Sequence, residues 1–347
     1  MKVRDKRRHI PALVWLLSVI PIALVLSATG RYLEGALQGY FFRVLMLSGI
    51  AIIAAVSLNV VNGFTGQFSI GHAGFMLVGA YASAGITVFA RPHLQLALDA
   101  AHVPASVQPP LGFGVALVAA ALGAAVAGLV VGLPSLRLRG DYLAIATLGF
   151  GEAIRAIFVT IDAVGGASGL HNVPLDTNFV WVFLGVISVI VTARNLALST
   201  HGRALFAIRE DELAAQAVGV DTFRYKVLAF VIAAAWAGVA GALLAHLNQG
   251  VDPKDYGFMK SVEIVVMVVL GGLGSVTGAV IAAVALTWLP ELLRTVQDYR
   301  MVLYSVLLIL LMLLRPRGLF GRKEFSLGSL FTFRKEAAPP RPGKEAG

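Results

Sequence analysis

Glu152 and Arg155 stand three residues apart in the block Gly149-Phe150-Gly151-Glu152-Ala153-Ile154-Arg155. On a helix that spacing puts the acid and the base on one face. A second polar set lies in Gly66-Gln67-Phe68-Ser69-Ile70-Gly71-His72-Ala73-Gly74, where Gln67, Ser69 and His72 alternate with glycines. A membrane-embedded enzyme using His72, Glu152 or Arg155 is one reading. Against it, the chain contains no His-Glu-x-x-His metal motif, no nucleophile–base pair and zero cysteines, which leaves no catalytic and no metal-ligating set. The other readings are helix packing, with Glu152 and Arg155 as an ion pair, or a solute path lined by these groups. Glu263 poses the same choice, and Lys260 is placed to snorkel to an interface.

The elements that hold these residues follow from composition. Of 347 residues, 58% are hydrophobic and 14% charged, too little polar surface for a soluble globule of this size, so an all-α polytopic membrane protein is expected. Apolar runs of spanning length cover Ile10 to Thr29, Val44 to Val61, Phe64 to Ala90, Leu111 to Leu133 and Val227 to Leu247. Weaker runs cover Asp141 to Ile161, Phe179 to Ala193, Ser261 to Leu270, Val276 to Leu289 and Met301 to Leu314, giving about ten transmembrane segments. With both termini cytoplasmic, 20 of the 28 Lys and Arg residues fall inside and 7 outside, as short cytoplasmic loops require. Topology, rather than nucleic acid, accounts for the net charge of +9. The expected organisation is a basic cytoplasmic N-terminus over 1–9, continuing into an uncleaved first helix, a membrane domain over 10–314, and a basic, disordered cytoplasmic tail over 315–347.

Glycines break this pattern twice. Gly66, Gly71 and Gly74 allow either close helix packing or an interrupted helix, and irregular backbone survives at membrane depth only where protein or a water-filled cavity covers it. Gly271-Gly272-Leu273-Gly274-Ser275 separates two apolar pieces too short to span upright. Gly63 and Gly66 recur 208 residues later as Gly271 and Gly274, a hint of internal duplication.

The remaining polar stretch, Arg194 to Lys226, contains a predicted helix from Gly202 to the capping Gly219. It meets either a soluble partner or the lipid headgroups. The run Glu210-Asp211-Glu212 argues against anionic lipid. Docking then places small residues in a groove and Arg203, Arg209 and Glu212 at its rim.

Taken together, the Gly66 to Phe75 block, the Arg137 to Arg155 block, the Gly202 to Gly219 helix, Gly271 to Ser275 and Arg315-Pro316-Arg317-Gly318-Leu319 closely resemble the branched-chain amino-acid permeases of bacterial ABC importers, of the LivM type. The resemblance runs from about residue 40 to about 320 and implies an ABC importer permease fold in the inner membrane. It implies as partners a LivH-like second permease, two cytoplasmic ATPase subunits and a periplasmic solute-binding protein. The Gly202 to Gly219 helix resembles the coupling helix of ABC importers, whose signature is Glu-Ala-Ala followed by Gly. Ala214, Ala215 and Gly219 match; Leu213 fills the place of the acid, and Glu212 comes one position early. No Gly-x-x-x-x-Gly-Lys-Ser/Thr occurs, so the chain needs no cofactor of its own and ATP is used by the partners. The implied function is import of branched-chain or similar apolar amino acids. Import of urea, an amide, an aromatic acid or a pentose by the same architecture is the alternative.

Overall fold

The computed structural model describes residues 25–37, 39–91, 108–138 and 140–295, with isolated positions at 99, 104, 305, 306 and 309. In hydrocarbon every backbone polar group needs an internal partner, which a helix supplies within one segment. The chain accordingly folds into helices α1 (Gly39–Asn59), α2 (His72–Gly85), α3 (Gln108–Ser135), α4 (Asp141–Thr160) and α5 (Phe179–Leu198). Short helices α6 (Thr200–Glu210) and α7 (Glu212–Ala217) then lead into α8 (Thr222–Asn248), α9 (Phe258–Gly271) and α10 (Val276–Leu292). Single π-helical segments, Val60–Thr65 and Ile86–Ala90, extend α1 and α2. A two-residue ladder pairs Leu170–His171 antiparallel with Gly250–Val251 and ties the loop after α4 to the loop after α8.

Among the described residues six helices are long and apolar enough to cross a bilayer: Gly39–Thr65, His72–Ala90, Gln108–Ser135, Asp141–Thr160, Phe179–Leu198 and Thr222–Asn248. The expected count of about ten is not confirmed among the described residues. The runs Ser261 to Leu270 and Val276 to Leu289 are α9 and α10, of 14 and 17 residues, about 21 and 26 Å of helix, each short of a 30 Å hydrocarbon core. The run Ile10 to Thr29 lies mostly, and Met301 to Leu314 almost wholly, outside the described residues, as do the N-terminus and the tail. The run Phe64 to Ala90 is not one helix, since residues 66–71 are non-helical and α2 starts at His72.

The helices form an inner and an outer set. In the apolar window of α1 83% of residues are buried inside the chain, against 17% in α4, so α1 is core while α4 turns most of its surface outward. On α3 the outward row Val115, Val118, Leu122, Val126 and Val130 keeps helical spacing and is exposed, the stripe expected to meet lipid or another apolar helix.

The inner set packs through small residues. A Cβ built on Gly79 would lie 2.2 Å from the Gly238 backbone, and one on Gly241 1.9 Å from the Met76 carbonyl oxygen. With no water to expel in lipid, such close backbone contact is the main source of cohesion between spans. Gly241→Val should therefore push α2 off α8 and cost at least about 3 kcal/mol by overpacking. The expected result is loss of folded protein from detergent-solubilised membranes by size-exclusion chromatography. A monodisperse, fully yielded variant would contradict the packing.

Candidate functional site

The segment linking α1 to α2 is irregular, and side chains supply partners to much of its backbone. Asn62 clamps Ser69 from both sides, its Oδ1 accepting from the Ser69 amide at 3.1 Å and its Nδ2 donating to the Ser69 carbonyl at 3.4 Å. The Thr65 hydroxyl accepts from the Gln67 amide at 3.3 Å, and the amides of Ile70 and Ala73 donate to the hydroxyls of Thr147 and Ser261, both at 3.1 Å. Side chains from three helices thus replace the water that this backbone lacks. Gln67 and Ser69 are buried and serve this local network. Gly71 lies against the Thr147 carbonyl and Gly74 against the Gly151 backbone, where α2 crosses α4.

His72 is buried at the start of α2, with Nε2 2.8 Å from the Ser57 hydroxyl on α1. The same hydroxyl lies 2.8 Å from the Ala54 carbonyl, so His72 is tied through Ser57 to the backbone of α1. A second buried histidine, His246, bonds Thr87 at 3.0 Å and the Ala242 carbonyl at 2.9 Å.

The second break sits against the first. Gly271 ends α9, Gly272 and Gly274 adopt φ of 106° and 89°, and Ser275 caps α10 by accepting from the Gly278 amide at 3.1 Å. Gly66, at the equivalent place in the first break, has φ of 71°. Both positions lie in the left-handed region that favours glycine. The Gly274 amide donates to Asn59 Oδ1 at 2.9 Å, and a Cβ on Gly63 would lie 2.4 Å from the Gly274 nitrogen. The two Gly-x-x-Gly steps, 208 residues apart in sequence, meet in space.

The predicted helix from Gly202 to Gly219 is two helices. Asp211 adopts φ −158° and ψ 112°, and its carboxylate accepts from the amides of Leu213 and Ala214 at 2.8 and 3.0 Å. An Asx cap of this kind stops α6 and starts α7. Gly219, at φ 85°, closes α7 as a Schellman motif: the Val220 amide bonds the Ala215 carbonyl and the Gly219 amide the Gln216 carbonyl.

Two residues expected at the docking rim point inward. Arg209 Nη1 donates to the Gly63 carbonyl at 2.8 Å, its guanidinium stacks on Phe206 at 5.1 Å, and a Cβ on Gly274 would lie 2.7 Å from Nη1. Arg209 therefore fills the junction of the two breaks; the short, side-chain-free backbone there is what admits a guanidinium. Glu212 bonds Lys226 on α8 at 2.7 Å, and the Thr222 hydroxyl also lies within reach of its carboxylate, at 3.4 Å. Ala215 is buried beneath α7 as well. Arg203, Ala214, Ala217 and Gly219 face out, together with Leu213 and Val218 at 64% and 79% exposure.

Glu152 and Arg155 form an ion pair at 2.7 Å on α4, and Lys260 and Glu263 one at 2.9 Å on α9. With Lys254 and Asp255 they line an open cavity of about 450 Å³. Burial, aided by Asp252, raises the Asp255 carboxyl above the ordinary carboxylate value, while Lys260 opposes the shift. Lys260 lies eleven residues before Gly271 on α9, about 16 Å of helix, so this cavity and the Arg209 junction lie at opposite ends of α9.

Sequence reasoning missed Asn59, Asn62, Thr147, Ser261 and Lys226. Each looked like an ordinary polar residue at a helix edge or interior, and the only available signal was its polarity within an apolar run.

A family model described as the permease component of the branched-chain amino acid transport system matches residues 40–314. The chain is 35% identical over 309 residues to the high-affinity branched-chain amino acid transport system permease protein LivM of Escherichia coli, covering 79% of this chain and 68% of the relative. It is 34% identical over 199 residues to the LivH permease protein of the same organism, covering 56% of each. It is also 27% identical over 332 residues to a probable LivM permease protein of Methanocaldococcus jannaschii, covering 81% and 93%. No solved structure matches. A multi-pass helical chain, with two glycine breaks joined by an arginine from a polar interhelical segment, belongs to the permease-component family of branched-chain amino-acid transport systems.

Proposed function

We propose that this chain is one membrane subunit of an ATP-driven ABC importer for branched-chain amino acids, working by alternating access beside a second, related permease. Its similarity to both LivM and LivH proteins supports a pair of homologous permeases. In this reading the α6–α7 segment is cytoplasmic and docks an ATPase subunit, and a second ATPase docks on the partner permease. A periplasmic binding protein delivers solute to the opposite face. Residues 10–314 form the membrane domain in the inner membrane, with 1–9 and 315–347 on the cytoplasmic side. The chain itself carries no catalytic residues and hydrolyses no ATP.

One observation carries the mechanism: Arg209, on the segment expected to be driven, is bonded to the backbone of one helix break and wedged against the other. Leu213, Ala214, Ala217 and Val218 offer an exposed, small and apolar contact surface, suited to the centre of a protein interface. Movement of α6 and α7 would pass through Arg209 to both breaks, where α1 turns into α2 and α9 into α10. Broken helices can serve as hinges because a few element-terminal residues absorb the change in backbone torsion.

The test is uptake of labelled leucine into vesicles containing this chain, its partner permease and their ATPases, with the binding protein outside. ATP-dependent accumulation is expected. Uptake that leucine fails to compete would discard the solute and keep the mechanism, and uptake indifferent to ATP would discard the importer.

A further inference from the structure

Behind the charged cavity lies a second, more enclosed one of about 120 Å³, between α1 and α9. Ile50, Ala51, Ala54, Met76, Ile264 and Met267 make its walls, and Lys260 and Glu263 belong to both cavities. The 2.9 Å ion pair therefore stands where an apolar pouch opens into a polar vestibule. A single water occupies roughly 10–15 Å³ by comparable measure, so the pouch has room for several heavy atoms but not for a large ring system.

We infer that this pouch and the Lys260–Glu263 pair at its mouth form a transient subsite for the transported amino acid, aliphatic side chain inward and zwitterionic head at the pair. The inference rests on the branched-chain reading above and adds a place for the solute within this chain. A zwitterion carries a carboxylate that can accept from Lys260 and an ammonium that can donate to Glu263. Entry of both charges together leaves neither protein charge unpaired, whereas an anion or an amine alone would strand one of them. An uncharged solute such as urea or a sugar offers no substitute for either partner of the broken ion pair. Apart from the ion pair, the one polar lining side chain is Thr287, whose hydroxyl donates within its own helix to the Ala283 carbonyl, so the walls select an isobutyl or sec-butyl group by fit and disfavour polar side chains through desolvation. Glu152, Arg155, Lys254 and Asp255 supply further charges of both signs along the approach, so a zwitterion remains matched before it reaches the pouch. Because the ligand must first separate Lys260 from Glu263, the site is weak by construction, as a site that must also release its solute has to be.

The assembled transporter in vesicles, with binding protein and ATP, is irradiated with a leucine analogue bearing a side-chain diazirine, and the labelled peptides are mapped. Label within residues 47–54 and 260–267, or at Met76, Leu244 or Thr287, is expected. Label confined to the binding protein, or elsewhere in this chain, would overturn the subsite. As a second reading, Ala51→Leu partly fills the pouch from the half-buried edge of α1. With the binding protein saturated by each amino acid, the variant's ratio of maximal leucine to alanine uptake should fall at least about tenfold; an unchanged ratio would overturn the subsite. Wild-type leucine uptake is measured alongside. Its absence would remove the branched-chain reading and the subsite with it, while uptake with label elsewhere removes the subsite alone.

Discussion

Arg209→Leu is expected to abolish ATP-driven uptake while the ATPase subunits still co-purify with the permease pair. In the proposed arrangement the docking surface lies on the far side of α7, whereas the Arg209 guanidinium is turned toward the Gly63 carbonyl and the Gly274 backbone. A hydrogen bond to a charged group contributes about 1.5–3 kcal/mol, and a coupling energy of that size corresponds to roughly ten- to a hundred-fold in the equilibrium between two states. Leucine would also leave the Gly63 carbonyl without its partner in a buried place. Arg209→Lys keeps the charge but loses the planar fork and the stacking on Phe206, so partial activity is expected. The readouts are ATP-dependent uptake and the stoichiometry of bound ATPase. Full uptake in Arg209→Leu would sever the proposed link between α6 and the breaks, and loss of the ATPase would move Arg209 back to the docking surface.

The course of the main helices was legible because composition and run length dictate it. Windows over α1 to α5 and α8 stood out as apolar runs, and the second glycine cluster marked the break between α9 and α10, whereas the first left packing and interruption equally open. What the sequence could not convey was direction within the α6–α7 segment. Arg209 and Glu212 read as surface charges because nothing in their spacing distinguishes a side chain that folds back from one that faces out. Asp211 was equally opaque as a helix breaker. Its role depends on a single extended residue whose carboxylate finds two amides, and the helix-forming residues on either side favoured continuity. The meeting of Gly63 with Gly274 is a tertiary contact, and the 208-residue offset hinted at duplication without indicating contact.

The same limits explain the polar residues of the first break. Gln67 and Ser69 drew attention as possible path-lining groups because they interrupt an apolar sequence. Their partners are local, and the groups that complete the backbone's hydrogen bonds, Thr147 and Ser261, come from helices 77 and 188 residues away. A polar residue in a membrane helix can satisfy backbone rather than solute. Within the break the Gln67 and Ser69 amides find acceptors on the same segment, Thr65 and Asn62, while those of Ile70 and Ala73 reach across to α4 and α9.

Glu212→Gln and Lys226→Met should differ sharply although they break the same bond. Lys226 keeps only 6% of its side chain exposed, while Glu212 keeps 26%. Glu212→Gln leaves an ammonium buried without its anion, and removing one partner of a buried pair costs about 3–5 kcal/mol. The lower end applies here because the carboxylate is partly solvated. Lys226→Met replaces the buried charge with a side chain that suits an apolar site, and the freed Glu212 retains water and the Thr222 hydroxyl; the expected cost is about 1 kcal/mol or less. What is lost is the seating of α7 on α8, so the effect should appear as proteolytic sensitivity between residues 199 and 221 and as weaker retention of the ATPase. Glu212→Gln is expected to show both, and Lys226→Met little of either. Adding Lys226→Met to Glu212→Gln should then restore much of the seating, since the unpaired charge disappears. Equal damage from the two single variants, or no rescue in the double, would mean that the pair acts at the ATPase interface rather than beneath α7.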